Sequence, residues 1–295
     1  MPNYNHASFL KERMDSILAQ DFHAFELIIL DDASTDDSLS ILREYENHPQ
    51  VKTLLVNQSN SANTFVQWQK GLEQAEGEYI WIAESDDVAD KHFLSRMVAQ
   101  LQNDDSVLAF CRSKWIDEKG KDLKRSYDRL WHRNFQMDGY EFVRRYLLGY
   151  CTICNASAVV FKREALANVD MSQVAKFTAS GDRLFWISIA LQGRISYVAN
   201  PLNSFRQHTN KVSGSAEYQG LNIVQDHEIY RLISPRFELT SHEKYVICGY
   251  HWKAILRTTV SDDGKLKAIE AWKAEPEFGR LAYLVYLLHR AKEKC

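Results

Sequence analysis

Two stretches of the chain share one pattern, in which a nearly continuous apolar run leads directly into several carboxylates. Residues 25–30 lead into Asp31 and Asp32, and residues 79–83 lead into the acidic segment 84–87. An apolar run without alternation is typical of a parallel-sheet strand that is covered on both faces. Ligands of open α/β sheets bind just beyond the carboxyl ends of such strands. The pattern therefore predicts buried strands that end in acidic, ligand-facing loops.

Apolar residues at helical spacing fill the segments between the predicted strands. The spacing predicts helices over 8–20, from 34 to before Pro49, and over 65–75, with a further strand at 51–56. Strands separated by helices of about ten to fifteen residues indicate right-handed βαβ units in a parallel sheet. Residues 1 to about 111 are therefore predicted to form a doubly wound α/β half.

The pattern after residue 111 indicates a mixed sheet and then a helical region. A hairpin turn is predicted at 117–121, followed by a helix at 138–150, a strand at 157–161, a helix from 180 and a strand at 195–198. The predicted fold class is α/β, with a doubly wound, mostly parallel but mixed sheet over 1–214 (halves of about 1–111 and 112–214). A helical C-terminal extension over 215–295 completes the chain. Simple packing is the default role of this extension, and contact with a partner or a membrane surface is the alternative.

Composition and charge narrow the class of protein. The chain has 295 residues, 45% of them hydrophobic, which is enough for a sizeable core. The formal net charge is -3 and the basic residues are scattered, which argues against nucleic acid as a partner. The longest apolar run, 281–288, is too short to span a bilayer, and no secretory signal is visible. The five cysteines, an odd number spread over a long chain, fit reduced thiols. We therefore expect a cytoplasmic protein, with the inner face of the membrane as an alternative.

The acidic segment after the second apolar run is the first candidate for chemistry. Glu84, Asp86 and Asp87 lie within four residues, and if buried together they need water or a divalent cation to balance their charges. This predicts a metal site, and a solvated turn in which Asp87 or Asp90 caps the next helix is the alternative. Asp182 lies near the start of another predicted helix, where a carboxylate is either a cap or a functional group.

Several nucleotide-binding devices are absent from the sequence. No GxGxxG follows a strand and no GxxxxGK[ST] is present, which argues against a glycine-rich cradle for phosphate. A sheet that handles phosphate without such a loop needs another counter-charge. A metal at the acidic segment would supply it.

A series of short motifs resembles the family 2 inverting glycosyltransferases of the GT-A fold. The series is Pro-Asn-Tyr-Asn at 2–5, Leu-Asp-Asp-Ala-Ser-Thr-Asp at 30–36, Gly-Glu-Tyr-Ile at 77–80 with Glu-Ser-Asp-Asp at 84–87, Gly-Asp at 181–182 and Arg-Gln-His at 206–208. The resemblance covers about residues 2–213 and rests on the order and spacing of the motifs together. Two positions depart from the family pattern, because Glu84 replaces the first Asp of the DxD motif and Gly181 replaces a Glu.

The resemblance implies a role for each matching residue. It implies nucleotide binding by Tyr4, Asp31, Asp32, Lys70 and Ser85, metal binding by Asp86, Asp87, Glu84 and His208, and general-base catalysis by Asp182. The implied cofactor is Mg²⁺ or Mn²⁺. The implied donor is a nucleotide-diphosphate sugar, with a UDP-sugar favoured, and the implied acceptor is a carbohydrate or glycolipid.

The implied reaction agrees with the chemistry of these residues. A metal held by Asp86 and its neighbours would neutralise a diphosphate leaving group, and a carboxylate such as Asp182 could deprotonate the acceptor hydroxyl. Cell-surface polysaccharide or lipopolysaccharide synthesis is the expected setting, by resemblance. Two alternatives are a non-catalytic nucleotide-sugar-binding scaffold of the same fold and a sugar nucleotidyltransferase. The second alternative would need a basic glycine-rich loop near the first strand, and residues 3–6 do not form one.

The start of the sequence carries one further expectation. The motif at 2–5 should follow the first, central strand of a doubly wound sheet. We therefore expect a natural reading frame that continues upstream of Met1 by roughly five to ten residues rich in Val and Ile.

Overall fold

The computed structural model describes residues 1–124, 131–208, 212–257 and 259–292. Its strands and longer helices are β1 (Pro2–Asn3), α1 (Ala7–Leu18), β2 (Leu27–Asp31), α2 (Ser38–Tyr45), β3 (Val51–Val56), α3 (Thr64–Gln74), β4 (Tyr79–Trp81), β5 (Val88–Ala89), α4 (Phe93–Asp104), β6 (Ser106–Ile116), β7 (Phe135–Asp138), α5 (Gly139–Phe142), β8 (Val159–Lys162), α6 (Met171–Val174), α7 (Gly181–Ala190), β9 (Arg194–Arg206), α8 (Val212–Tyr218), α9 (Leu221–Ile233), α10 (Ser241–Ile255), α11 (Asp262–Trp272) and α12 (Arg280–Lys292). A π-helical turn lies at Val143–Leu147, and 3₁₀ turns lie at Ala156–Ala158, Arg163–Asn168 and Ser234–Arg236.

The chain divides into two compact units. The first unit consists of residues 1–139, 153–178 and 185–208, and it contains strands β1 to β9. The second consists of residues 140–152, 179–184 and 209–295. The sequence predicted a single boundary at residue 214, whereas the second unit also takes in two earlier segments of the chain.

The first sheet of the first unit has the order β1-β2-β3 with parallel pairing throughout. All five residues of β2 are buried, which agrees with its unbroken apolar sequence. Helix α1 covers this sheet with Leu10, Met14 and Ile17, all of which are almost fully buried. The carboxyl end of β2 therefore delivers Asp31 and the following loop to one edge of a packed α/β layer.

The second sheet of the first unit is mixed. Its order is β4-β8-β6-β9-β5, and β7 pairs with β9. β6 and β9 pair in parallel, whereas β4 and β6 both pair antiparallel to β8. The core of this layer includes Phe93, Met97 and Leu101 of α4, one helical turn apart and fully buried. A mixed sheet agrees with the architecture predicted from the sequence.

The prediction that residues 79–83 form a parallel strand is wrong in its direction. β4 is only three residues long, and Tyr79, Ile80 and Trp81 pair antiparallel with Lys162, Phe161 and Val160. An unbroken apolar run reports burial on both faces, but it carries no information about the direction of the neighbouring strand. The acidic segment still follows the strand directly, as predicted.

A cavity of about 610 Å³ is lined by residues from both sheets. Its walls include Leu27 and Ile28 of β2 and Ile80 of β4, and Met1 and Pro2 also line it. β2 and β4 belong to different sheets, so no strand of the described residues joins them across this space. The amino group of Met1 donates a hydrogen bond to the carbonyl of Ile28 at 2.7 Å.

The second unit is helical, as predicted for the C-terminal region. Its core includes Trp272 of α11, whose ring stacks on His251 of α10 with 4.0 Å between centroids, while the indole nitrogen donates to the carbonyl of Ile223. Thr240 and Glu243 form a capping box that starts α10. Among the helices of the described residues, none is both long and apolar enough to cross a membrane.

Candidate functional site

The loop after β4 places three carboxylates in three different environments. Glu84 accepts a hydrogen bond from the indole of Trp68 at 2.8 Å, and burial together with the charge of Asp86 raises its pKa to about 8. Asp87 is almost fully buried, and burial followed by the charge of Asp86 raises its pKa to about 6. Burial also opposes the charge of Asp86, but the hydrogen bond from His208 and the charge of nearby His6 hold its pKa below the usual range. Asp86 is therefore the carboxylate of this loop whose charged form is most strongly favoured.

Asp86 lies in a cluster with two histidines. The ligand atoms of His6, Asp86 and His208 all lie within 4.8 Å of one another, and His208 Nε2 is 3.0 Å from Asp86 Oδ2. The side chains of Asp86 and His208 are 16% and 3% exposed, so the cluster is accessible through the carboxylate. One carboxylate and two imidazoles form a donor set that fits a divalent transition-metal ion.

Glu84 and Asp87, which the sequence placed in the metal site, are not part of this cluster. The two oxygens of Asp87 accept hydrogen bonds from the side-chain amide of Asn155 at 2.9 Å and the backbone N–H of Arg206 at 3.0 Å. Glu84 is turned toward Trp68. Both carboxylates therefore help to shape the loop that carries Asp86.

Two buried arginines support this loop, Arg206 through a hydrogen bond to its backbone and Arg13 through its charge. The Arg206 guanidinium donates to the carbonyl of Asp86 at 2.8 Å, pairs with Glu12 at 2.6 Å and lies over the ring of Phe9 at 4.9 Å. Arg13 is fully buried over Trp81 and donates to Ser157 Oγ at 3.3 Å. Burial lowers the pKa of Arg13 to about 10, so it remains a cation and offsets part of the negative charge of the loop.

The two carboxylates after β2 are occupied by protein donors. Asp31 accepts hydrogen bonds from Asn3 and from the backbone and hydroxyl of Ser34. Asp32 accepts from several donors, among them the hydroxyl of Ser61 at 2.7 Å and the amide of Gln67 at 2.9 Å. The two predicted nucleotide-binding carboxylates thus anchor the loops around them.

The other predicted nucleotide contacts also lie in the first unit, Tyr4 and Ser85 on loops and Lys70 on α3. Tyr4 is 40% exposed, and Lys70 donates to Asn57 at 2.7 Å. Between Tyr4 and the start of α1, Asn5 adopts a φ of +54° and its side-chain oxygen accepts from the backbone of Thr35 at 2.7 Å. Asn tolerates this left-handed conformation better than most residues, which explains how the chain turns sharply here. Ser85 is buried, and its hydroxyl lies 2.8 Å from His6 Nδ1.

Asp182, the predicted base, lies in the second unit at the start of α7. It is half-buried, and burial raises its pKa to about 6, with a smaller contribution from the charge of Asp226. The next residue, Arg183, is fully buried and pairs with Asp226 at 3.0 Å. The backbone N–H of Ser180 donates to Gln225 at 3.1 Å, so the start of the helix is fixed from both sides. A pKa near 6 suits a general base that works at neutral pH.

Sequence reasoning missed His6 and Arg206 as site residues. The only sequence signal for His6 was its position directly after the motif at 2–5, and Arg206 lay inside a motif from which only His208 was selected. Their roles depend on contacts across roughly 80 and 120 residues of chain with Ser85 and Asp86.

Comparisons with known proteins agree on the class of protein. A search of solved structures finds TarS residues 1–349 of Staphylococcus aureus in complex with UDP-GlcNAc, with a TM-score of 0.71 and 21% identity over 99% of this chain and 86% of that one. The mannosyltransferase PcManGT of Pyrobaculum calidifontis, in complex with GDP-Man and Mn²⁺, gives a TM-score of 0.56 at 19% identity. The mixed α/β body with a helical C-terminal region is therefore a GT-A glycosyltransferase fold.

Sequence relatives lead to the family. TuaG of Bacillus subtilis, which carries the name of a teichuronic acid biosynthesis glycosyltransferase, is 24% identical over 215 residues, covering 72% of this chain and 80% of TuaG. The poly(ribitol-phosphate) β-N-acetylglucosaminyltransferase TarS is 30% identical over 122 residues, which is 41% of this chain and only 21% of that relative. The model of glycosyl transferase family 2 matches residues 1–169. The chain belongs to glycosyl transferase family 2 and is a glycosyltransferase, which confirms the resemblance seen in the motifs.

Proposed function

We propose that this chain is an inverting, metal-dependent glycosyltransferase. It moves a hexosyl or N-acetylhexosaminyl group from a nucleotide-diphosphate sugar to a hydroxyl group of a carbohydrate or glycolipid acceptor. The observation that carries the proposal is the cluster around Asp86, which lies in the loop after β4. In this cluster Asp86, whose charged form is favoured, lies beside His208 in a chain that belongs to family 2.

Asp86 and His208 would hold the metal ion. An ion of the Mg²⁺ or Mn²⁺ type, when bound, supplies Lewis-acid stabilisation to a diphosphate leaving group. Arg206 fixes the backbone of Asp86 through a hydrogen bond to its carbonyl, and the positive charge of Arg13 offsets part of the negative charge of the loop. This arrangement holds the ligands in position before the donor arrives, which is the usual requirement for electrostatic catalysis.

Asp182 would accept the proton of the acceptor hydroxyl. A single displacement by that hydroxyl on the face of the sugar opposite the leaving group inverts the anomeric centre, and it needs one general base. The pKa of Asp182, raised to about 6 by burial, keeps the carboxylate ionised at neutral pH while making it a stronger base than an exposed Asp.

The relatives support a nucleotide sugar as donor and a cell-surface polymer as product. The matched structures hold UDP-GlcNAc in one case and GDP-Man in another. We favour a UDP-sugar because both the structural and the sequence comparisons include TarS. Tyr4, Lys70 and Ser85 are proposed nucleotide contacts. Synthesis would take place in the cytoplasm, or at the inner face of the membrane with the C-terminal helices in peripheral contact.

A donor panel tests the proposal. UDP-, GDP- and dTDP-sugars are incubated with the protein and Mn²⁺, and release of the nucleoside diphosphate is measured with and without chelator. We expect release from one class of donor that stops in chelator. Full activity in chelator would contradict metal dependence. Donor binding without turnover on any acceptor would indicate a scaffold, and pyrophosphate formation from a sugar phosphate would indicate a nucleotidyltransferase.

A further inference from the structure

We propose that His6 is a third metal ligand beside Asp86 and His208, and that the site consequently selects a transition-metal ion such as Mn²⁺ or Co²⁺ over Mg²⁺. This inference rests on the proposed function, because it concerns the ion at the same site. His6 lies immediately before α1, about 80 residues from Asp86 in sequence, and the motif that suggested a metal does not include it.

The spacing of the three side chains suits one ion. Their ligand atoms lie within 4.8 Å of one another. Metal–ligand distances of about 2.1 Å allow two ligands on opposite sides of an ion to be ~4.2 Å apart. Because adjacent ligands of one ion are closer than that, about 3.0–3.4 Å, side-chain shifts of up to roughly 1 Å would bring all three atoms onto a shared ion.

Ser85 orients the His6 ring for this role. His6 Nδ1 is 2.8 Å from Ser85 Oγ, and Ser85 is almost fully buried. A histidine that binds a metal normally gives its other ring N–H to a hydrogen-bond acceptor, which fixes the tautomer and leaves one lone pair for the ion. Donation from His6 Nδ1 to Ser85 leaves Nε2 with that lone pair. Ser85, which the resemblance assigned to nucleotide binding, thus also positions His6, a role that the sequence did not suggest.

The two histidine rings also support each other sterically. Their centroids are 5.3 Å apart and their planes are nearly perpendicular, at 87°. Phe9, in the first turn of α1, packs against His208 with 5.1 Å between ring centroids, and the Arg206 guanidinium lies over its ring. The apolar side of the cluster is therefore formed by the same helix that positions His6. A ligand set held on a helix and a packed loop needs little reorganisation on binding.

The donor set decides which ion is preferred. Mg²⁺ favours oxygen ligands and loses its water reluctantly, whereas imidazole nitrogen suits the first-row transition metals. A site with only Asp86 and His208 would have one imidazole, and His6 supplies the second. Affinity for such sites rises from Mn²⁺ to Co²⁺. The expected order of affinity is therefore Mg²⁺ below Mn²⁺ below Co²⁺.

Metal binding in the absence of donor tests this inference. Calorimetric titration with Mg²⁺, Mn²⁺ and Co²⁺ salts is carried out on the unsubstituted protein, His6→Ala and Ser85→Ala. His23→Ala is the matched control, since His23 is an exposed histidine of the same unit. We expect His6→Ala to weaken Co²⁺ binding at least tenfold and to lower the ratio of Co²⁺ affinity to Mg²⁺ affinity. Ser85→Ala should lose about 10–100-fold, as expected for a residue that orients a ligand, and His23→Ala should not change.

Two results would overturn the inference. One is Co²⁺ affinity in His6→Ala equal to that of the unsubstituted protein, and the other is tighter binding of Mg²⁺ than of Co²⁺ before any substitution. If His6→Ala melts earlier than the unsubstituted protein without metal, His6→Gln replaces it in the same titration. Failure of the proposed function would give another result: the titrations would show metal binding that depends on His6, but no sugar transfer would be detected with any donor.

Discussion

Replacing Asp182 by Asn should raise the stability of the protein and lower its activity at the same time. The carboxylate is half-buried, and burial raises its pKa from the usual 3.8 to about 6. The folded state therefore holds this proton more tightly than the unfolded chain. The difference of about two pH units corresponds to roughly 3 kcal/mol at 1.36 kcal/mol per unit, taken as an upper limit because the site is partly solvated.

The sign of the effect follows from the raised pKa. Below about pH 4 the carboxyl group is protonated in both states, and the unsubstituted protein carries no penalty. Between about pH 4 and pH 6 the unfolded chain ionises while the folded state keeps the proton, so the penalty grows across this window and is complete above about pH 6. Asn has the same shape and no charge, so the excess stability of Asp182→Asn over the unsubstituted protein should be near zero at pH 4 and reach up to ~3 kcal/mol at pH 7–8.

The activity of the same variant should change in the opposite direction. An amide cannot accept the proton of the acceptor hydroxyl, and loss of a positioned general base costs about 10²–10⁴ in rate. Donor affinity should be unchanged, since the substitution leaves Asp86 in place. In the unsubstituted enzyme, transfer should fall below an apparent pKa of about 6, because the protonated carboxyl group is inactive as a base.

Denaturant unfolding between pH 4 and 8 and initial rates of sugar transfer measure the two effects. Asp37→Asn is a suitable control, since Asp37 is exposed and its side chain makes no capping hydrogen bond. Equal stability of Asp182→Asn and the unsubstituted protein at all pH values would refute the burial argument. Transfer by Asp182→Asn at the unsubstituted rate would refute the assignment as base and leave Asp182 as a helix-capping residue.

Three further perturbations address other parts of the first unit. Asp86→Ala should abolish metal-dependent donor binding, measured by calorimetry with Mn²⁺; donor affinity that is unaffected by chelator would contradict this. Arg206→Lys should destabilise the protein by about 3 kcal/mol in denaturant unfolding, because one ammonium cannot replace a buried fork that serves Asp86 and Glu12, and equal midpoints would refute it. Five to ten Val- and Ile-rich residues added before Met1 should fill the cavity and raise the melting temperature by roughly 2–4 °C per kcal/mol gained. A Gly/Ser extension of equal length is the control, and equal melting temperatures for the two would show that no strand is accommodated there.

The layer architecture could be predicted because it depends on local patterns. A strand or a buried helix face can be recognised within a dozen residues. Examples are the buried apolar run of β2 and the stripe Phe93, Met97 and Leu101 of α4. The direction of β4 could not be predicted, since its partner β8 lies about 80 residues later and an apolar strand pairs in either sense. The sequence also did not predict that residues 140–152 and 179–184 belong to the second unit, because they join it through tertiary contacts and not through a local pattern.

The candidate site shows the same limit at the level of single groups. The sequence identified Glu84, Asp86 and Asp87 as one acidic cluster, and by charge they are equivalent. Folding makes them different, because burial and the charge of Asp86 favour the neutral form of Glu84 against the opposing hydrogen bond from Trp68, whereas His208 favours the charged form of Asp86. Two buried charges at such short range are costly, so stabilising one carboxylate as an anion raises the pKa of its neighbours. The histidines that select Asp86 come from distant parts of the chain, and only the fold reveals which of the three carboxylates is prepared to bind a cation.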